Sequence, residues 1–392
     1  MKQVDILIAG GGIAGLTAAA RLGCDGHSVL LVDPAPLAPP TAGDLRTTAY
    51  LQPAIATLTT AGAWDAMQPH GAELRTMRIV DAGGAERAVR DTVDFDGEET
   101  GIGHFGWNIP NTAARAALLD AIAKLPNVEL WPETRVTGYV TRTDSALLST
   151  DTGRQIAARL VVAADGRDST LRRLAGISHK RWEYGQQALV FVVSHSKPHQ
   201  GVSTEIHRTG GPLTLVPMPD VDGKPCSSVV WMVPGPRVRE LNAMDEAELG
   251  AEITTETMDL FGTLKLVSPR AVWPIISQLA AELKADRLAL IAEAAHVMPP
   301  IGAQGLNTSL HDIETLAGLA KEATDPGAHD LLKRYERQIL PRTMLRVGGV
   351  DLLNRAAMAE PQPLRDLRRA GLKAIGSIAP LRRLAIHAGM GG

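Results

Sequence analysis

The sequence predicts an α/β fold: a parallel-sheet domain interleaved with a mostly antiparallel β-sheet domain, followed by C-terminal helices. Three observations predict it. Apolar runs of strand length end at Ala9, Ala164 and Glu293, and each passes into a loop and then a helix pattern, as buried parallel strands do. Residues 180–275 switch to alternating strand patterns. The last 70 residues read as helix.

The first element is the most informative. Ile6 to Ala9 runs into Gly10-x-Gly12-x-x-Gly15, Ile13 and Ala14 open a small-residue helix, and a second strand, Ser28 to Val32, ends on Asp33. This is a Rossmann-like fingerprint. Gly10 permits the tight turn, Gly12 lets backbone approach a pyrophosphate, and Gly15 lets the helix lie close on the sheet. The helix N-terminus offers free N–H groups and a positive dipole end to phosphate. Asp33 stands where it can accept both hydroxyls of an adenosine ribose. An acid there disfavours a 2′-phosphate, which leaves FAD or NAD rather than NADP.

At 392 residues the chain is long enough for two interleaved domains. A net charge of −3 argues against nucleic-acid binding. Two cysteines, Cys24 and Cys226, make neither a disulfide framework nor a metal site. No signal peptide and no bilayer-spanning apolar run is apparent, so a cytoplasmic location is expected.

After Asp33 the chain continues through a proline-rich loop, Pro34 to Pro40. The segment from Gly43 to Tyr50 is expected to open a helix, Leu51 to Ala61. Arg46, at that junction, is either a surface arginine or a cation reaching the cofactor's pyrophosphate or ribityl chain. Short strands follow over 75–96, including Met77 to Asp81 and a Gly83-Gly84 turn. Arg115 lies in the first turn of a helix from Thr112 to Leu125, either solvated or in cofactor contact. Strands at Val128–Trp131 and Arg135–Val140 precede Leu147–Thr150, which pairs with Gln155–Ala158.

A buried strand then ends in Asp165-Gly166 before a helix that Asp168 or Ser169 caps. Four strands between Ala188 and Val233, a helix from Asp245 to Phe261 and a strand from Leu264 to Pro274 form the antiparallel layer, a ceiling for a substrate pocket. The third apolar run ends at Glu293, and a Pro/Gly loop leads to a helix starting near Gly305. Gly305, Leu306 and Asn307 would aim N–H groups outward, suited to the negative charge of an electron-rich flavin. His296 in that loop is a packed residue or a base. From Pro361 onward six basic residues and one acid are interleaved with leucine and isoleucine, including Leu381 and Leu384. Such helices either lie on anionic lipid or dock with a solvated face.

Three motifs carry a family resemblance: Gly10-Gly11-Gly12-Ile13-Ala14-Gly15, Ala164-Asp165-Gly166-Arg167-Asp168-Ser169, and Glu293-Ala294-Ala295-His296 through Pro299-Pro300-Ile301-Gly302-Ala303-Gln304-Gly305-Leu306-Asn307. The chain resembles the flavin-dependent aromatic hydroxylases of the para-hydroxybenzoate hydroxylase fold, and among them the ubiquinone-biosynthesis hydroxylases. The resemblance implies bound FAD, NAD(P)H as a transient reductant, and O2 as co-substrate. Oxygen would pass to an electron-rich phenol through a flavin C4a-hydroperoxide. It also implies cofactor contacts at Gly10, Gly12, Ile13, Ala14, Gly15, Asp33, Arg46, Arg115, Val136, Asp165, Gly166, Glu293, Pro300, Gly302, Gly305, Leu306 and Asn307. No metal is implied, and no catalytic side chain is singled out. Two departures stand out. Relatives usually carry Gly-Asp where this chain has Ala292-Glu293, and often arginine at His311.

The expected layout is a discontinuous FAD domain (1–78, 105–180 and 280–330), a substrate domain (79–104 and 181–279) and a C-terminal helical segment (331–392). The first reading is ring hydroxylation of a lipophilic, polyprenylated phenol in ubiquinone biosynthesis. It carries with it peripheral attachment to the inner membrane face through the basic C-terminal helices, and contact with other quinone-biosynthesis proteins. The alternatives are a hydroxylase of a small soluble aromatic and a non-catalytic flavoprotein subunit. The Trp-x-Trp-x-Ile-Pro signature of a halogenase is absent, residues 105–110 reading Phe-Gly-Trp-Asn-Ile-Pro.

Overall fold

Four parallel strands lie side by side in the order Leu288–Leu290, Gln155–Ala163, Lys2–Ala9, Val29–Val32, with Val128–Trp131 adding a fifth. They form the spine of an eight-stranded sheet in the computed structural model, which describes residues 1–38, 46–83, 86–208 and 210–390. Ile6, Leu7, Ile8, Leu160, Val161 and Val162 are all fully buried, because helices cover both faces. Each such side chain contributes about 1.5–3 kcal/mol on removal from water. Ala9, Ala163 and Leu290 stand level in register, so the three predicted motifs leave the sheet from one edge. The hairpin of Ala146–Thr150 on Gln155–Ala163 forms as expected, with Leu148 opposite Ile156.

The second sheet has nine strands, all antiparallel except Val202–His207 beside Thr76–Asp81. Its central strand, His179–His195, shows why the period-two pattern matters. Leu189, Phe191 and Val193 pack outward beneath helices α5 (Gly235–Ala243) and α6 (Glu246–Glu256). Ala188 and Val190 face the other way, into a separate apolar cluster with Met298 and Ile301. A three-stranded sheet of Thr47–Leu51, Gly106–Pro110 and Ala72–Leu74 completes the β-structure.

Several boundaries differ from the sequence expectation. Pro39, Pro40, residues 43–45 and Gly84 lie outside the described residues. Thr47–Leu51 is a strand rather than a helix entry, drawn into pairing with Gly106–Pro110, and the helix begins at Gln52. Helix α6 starts on its Asp245 cap with a full capping box but stops at Glu256. Met258 and Asp259 follow with positive φ, which no helix continues through. Helix α5 escapes a sequence reading because Gly235-Pro236 looks like a breaker, although proline is well placed in a first turn. The third parallel strand ends at Leu290, not Glu293, and residues 292–295 form a single helical turn. Strand Thr76–Asp81 runs across the boundary expected at 78/79.

Of the C-terminal helices, α9 (His329–Met358) packs through Val347 and Val350, while α10 (Gln362–Ser377) and α11 (Ala379–Met390) dock through basic residues, one of the two readings the sequence left open. Arg368 pairs with Asp81 at 2.8 Å, with side chains 5% and 0% exposed. Arg369 pairs with Asp91 at 3.4 Å and Arg382 with Glu99. Leu372, Ile375 and Ile386 pack on Val93, Phe95 and Phe105. Amphipathicity was legible, but the acids that turn these arginines inward, Asp81, Asp91 and Glu99, stand on and just beyond the paired strands Thr76–Asp81 and Asp91–Asp96. No described helix is long and apolar enough to cross a membrane.

Candidate functional site

The three strand ends open on a cleft of about 590 Å³, bounded opposite by the nine-stranded sheet. Ligands of open α/β sheets bind outside the carboxyl ends of the strands. Gly12 to Gly15 form one end, Gly166 and Glu293 the middle, and Pro299, Pro300, Gly305 and Leu306 the inner part. Ala188, Val190, Ser228, Val230, Trp273 and Ile275 line the facing sheet.

At the first strand end, Gly10 takes φ +109, and a Cβ there would stand 2.2 Å from the Ala164 carbonyl oxygen. A Cβ on Gly15 would meet the Gly10 carbonyl oxygen at 1.8 Å. Nothing lies within 4 Å of a Cβ built on Gly12, which faces the cleft. The N-terminus of helix α1 (Ile13–Cys24) has no side-chain cap, so its outward N–H groups are available to an anion. Asp33 does not line the cleft. Its carboxylate accepts from the backbone N–H of Gly11 and, at 2.7 Å, of Ala35, which braces the glycine loop. A carboxylate with two such bonds still has lone pairs for ribose hydroxyls.

At the second strand end, Asp165 turns away from the cleft and caps the short helix Thr170–Leu174. It accepts from Ser169 Oγ and from the N–H groups of Thr170 and Leu171, at 2.8 and 3.1 Å. Ser169 is the N-cap residue, accepting from Arg172 N–H at 3.0 Å, while Asp168 is solvated. Gly166, at φ +85, lines the cleft with its backbone.

Arg172 joins the second motif to the third. Buried to 4% exposure, it donates to the carbonyls of Arg167 and Ala294, each at 2.8 Å. Burial pulls its pKa below the ordinary arginine value, and Asp165 and Asp168 oppose that. Gln278 donates to the same Arg167 carbonyl at 2.9 Å. The Arg167 side chain then reaches over the cleft to Glu293, 3.2 and 3.4 Å from its two oxygens. Ala292 sits in the left-handed region at φ +53. A side chain in that conformation costs about 1–2 kcal/mol.

The inner loop is held from below. His296 Nε2 lies 2.8 Å from Asp312 Oδ2, both side chains about 1% exposed, which ties the loop to helix α8 (Gln304–Lys321). This favours the packed reading of His296. His311 Nε2 lies 2.9 Å from Arg342 Nη1, so the imidazole accepts and is neutral. Burial, with Arg342 nearby, lowers its pKa. The N-cap residue of helix α8, Ala303, takes φ +56 and makes no side-chain cap, and a Cβ on Gly305 would meet open space.

Of the expected contacts, Gly12, Ile13, Ala14, Gly15, Arg46, Arg115, Gly166, Glu293, Pro300, Gly305 and Leu306 line this cleft. Gly10, Asp33, Asp165, Gly302 and Asn307 stand behind it as framework. Asn307 accepts from Leu51 N–H at 2.9 Å and donates to the Ala49 and Ala303 carbonyls at 2.7 Å. Val136 is 5% exposed in the main core and lies away from the cleft. Arg115 donates to the carbonyls of Gly11, Pro36 and Ala38, so it fastens the loop after Asp33 to the glycine turn. Arg46 lies 4.8 Å over the Trp273 ring. Trp273, Arg167, Arg172 and the individual apolar strand residues were not singled out as site residues in the sequence, although Arg167 stands in the second motif and the strands were read as a pocket ceiling. Only the alternation on the strand His179–His195 hinted at the last group.

The arrangement fits a flavin dinucleotide. Two uncapped helix N-termini and three glycines with open space above them, Gly12, Gly166 and Gly305, face one cleft, whose far end is apolar.

Comparisons with known proteins agree. The FAD binding domain family matches residues 3–347. Ubiquinone hydroxylase UbiL of Rhodospirillum rubrum is 33% identical, over 100% of this chain and 90% of that protein. The 3-demethoxyubiquinol 3-hydroxylase of Escherichia coli is 28% identical, over 100% and 99%. The crystal structure of p-nitrophenol 4-monooxygenase PnpA from Pseudomonas putida superposes with a TM-score of 0.80 at 19% identity, covering 100% and 99%, and shares the fold.

Proposed function

Since this chain belongs to the FAD binding domain family, we infer that it is an FAD-dependent monooxygenase that hydroxylates the ring of a prenylated phenol in ubiquinone biosynthesis. The observation that carries the reading is the cleft itself, polar at the three loops and apolar where it meets the facing sheet. Bound FAD, reduced by NAD(P)H, supplies O2 activation and oxygen transfer.

The protein's own part is binding, orientation and exclusion of water. Gly12 and the head of α1 would hold the pyrophosphate, and Asp33, which braces the glycine loop, would hold the adenosine ribose. Glu293, paired with Arg167, would hold the ribityl chain. Pro300, Gly305, Leu306 and the N–H groups at the head of α8 would hold the ring system and favour its negative charge. Ala188, Val190, Val230 and Met298 give the phenol a dry wall, which protects a reactive oxygen species from water. Peripheral attachment to the inner membrane face and contact with other quinone-biosynthesis proteins belong to the same proposal.

The test is NAD(P)H oxidation by purified, FAD-loaded protein, with product analysis. Prenylated phenols should stimulate oxidation and gain one oxygen. Stimulation by small soluble aromatics alone would move the substrate class. No stimulation by any phenol would make it a non-catalytic subunit. In a deletion strain an under-hydroxylated prenyl-phenol should accumulate.

A further inference from the structure

Sixteen large apolar side chains are exposed among the described residues, and seven of them fall between residues 344 and 378. Helix α9 shows Met344, Leu345, Leu352 and Leu353, and helix α10 with its C-cap shows Leu364, Leu367 and Ile378. Leu345 and Leu367 are 80% and 68% exposed. On α10 Leu364, Leu367 and Gly371 are exposed at helical spacing, with Asp366, Ala370 and Lys373 exposed beside them, while Arg368 is buried in its ion pair with Asp81 and Arg369, 42% exposed, pairs with Asp91. The outer face thus carries leucine and glycine beside one acid and one lysine, and Arg368 is spent inside the protein.

Helix α9 has a second role. Its inner face carries Val347 and Val350, 2% and 4% exposed, which pack in the cluster of Ala188, Val190, Met298 and Ile301. Ala188, Val190 and Met298 line the cleft. One helix thus stands between the exposed apolar stripe and the apolar end of the cleft.

We infer that α9 and α10 are the surface on which this protein rests against a lipid bilayer, entering the hydrocarbon boundary rather than reading headgroup charge. The inference rests on the proposed lipophilic substrate, which resides in hydrocarbon and would cross only the thickness of α9 to reach its chamber. It replaces an electrostatic mode of attachment, because Arg368, Arg369 and Arg382 are paired within the fold.

The experiment is flotation of FAD-loaded, full-length protein with neutral phosphatidylcholine vesicles, at low and high salt. Binding should occur and survive salt. The variant L345Q/L352Q/L364Q/L367Q should cut the bound fraction about tenfold or more, since each leucine loses apolar contact with lipid. Flavin content and turnover of a detergent-solubilised short-chain prenyl phenol should be unchanged, because these side chains are exposed. Binding confined to anionic vesicles and abolished by salt would overturn the inference. So would vesicle binding unaffected by the four substitutions. A dimer that the variant converts to monomer, with no vesicle binding by either protein, would assign the face to a second copy instead. Vesicle binding without turnover of any prenyl phenol would leave the docking surface standing and sink the proposed substrate.

Discussion

Arg172→Met should uncouple the second and third loops while preserving the packing of the aliphatic stem. Arg172 donates two bonds of 2.8 Å from a nearly buried guanidinium, one to each loop. A hydrogen bond from a charged donor is worth about 1.5–3 kcal/mol. Two such bonds bound the loss at roughly 3–6 kcal/mol. Part is recovered, because burial already penalises the guanidinium and methionine carries no such penalty. The Arg167 carbonyl also keeps its bond from Gln278. A net loss of about 2–3 kcal/mol follows, read by urea unfolding of the apoprotein. Flavin affinity should fall as well. Even ~1.4 kcal/mol of misplacement between the two loops is tenfold in Kd, measurable by fluorescence quenching. Arg172→Lys should fall between, because its ammonium has three donors but no fork to span both carbonyls. An Arg172→Met protein with wild-type urea midpoint and wild-type flavin Kd would refute the claim that this residue holds the loops in register.

Other outcomes follow from the same geometry. Gly10→Ala should give no soluble, flavin-containing protein, because the added methyl meets the Ala164 carbonyl oxygen at 2.2 Å on a backbone of φ +109; absorbance of the purified fraction decides it. Glu293→Gln should leave thermal stability within about 0.5 kcal/mol, since the pair with Arg167 is partly exposed. It should weaken FAD binding about tenfold if the carboxylate reaches the ribityl chain, and an unchanged Kd would remove Glu293 from the cofactor site. His311 has a folded pKa below its ordinary 6.5, so the unfolded chain takes up a proton first on acidification. Its contribution to stability is complete above about pH 6.5 and declines as pH falls through the window down to the folded pKa. His311→Gln should flatten that decline in urea midpoints between neutral and mildly acidic pH.

The strand–turn–helix–strand opening was legible because everything that specifies it is local: apolar run, glycine spacing, small-residue helix and acid lie within 33 residues. The third motif was legible in type but not in boundary. Its strand stops at Leu290 because Ala292 turns left-handed, a conformation that alanine does not advertise. What the sequence hides is which partners meet. Asp165 reads as a ligand residue and is a helix cap. Arg172 reads as one of several basic residues after a serine and is the tie between two loops. The C-terminal arginines could be read as lipid-facing or docked, because the acids that receive them, Asp81, Asp91 and Glu99, lie more than 270 residues away.

The level row of Ala9, Ala163 and Leu290 also sets a timetable. The cofactor cradle draws on segments that emerge at the start, the middle and beyond two-thirds of synthesis. Pairing so distant in sequence forms late, since long loops must close before contacts reward them. Until residue 290 is made, Val161–Ala163 have Lys2–Ala9 on one side but lack Leu288–Leu290 on the other, a short apolar edge left beyond the Ala146–Thr150 hairpin. A nascent chain at that stage has the glycine turn but no place for the reactive ring, so cofactor capture belongs to the last third of translation. Chains that stall earlier would be substrates for chaperones rather than weakly active enzymes.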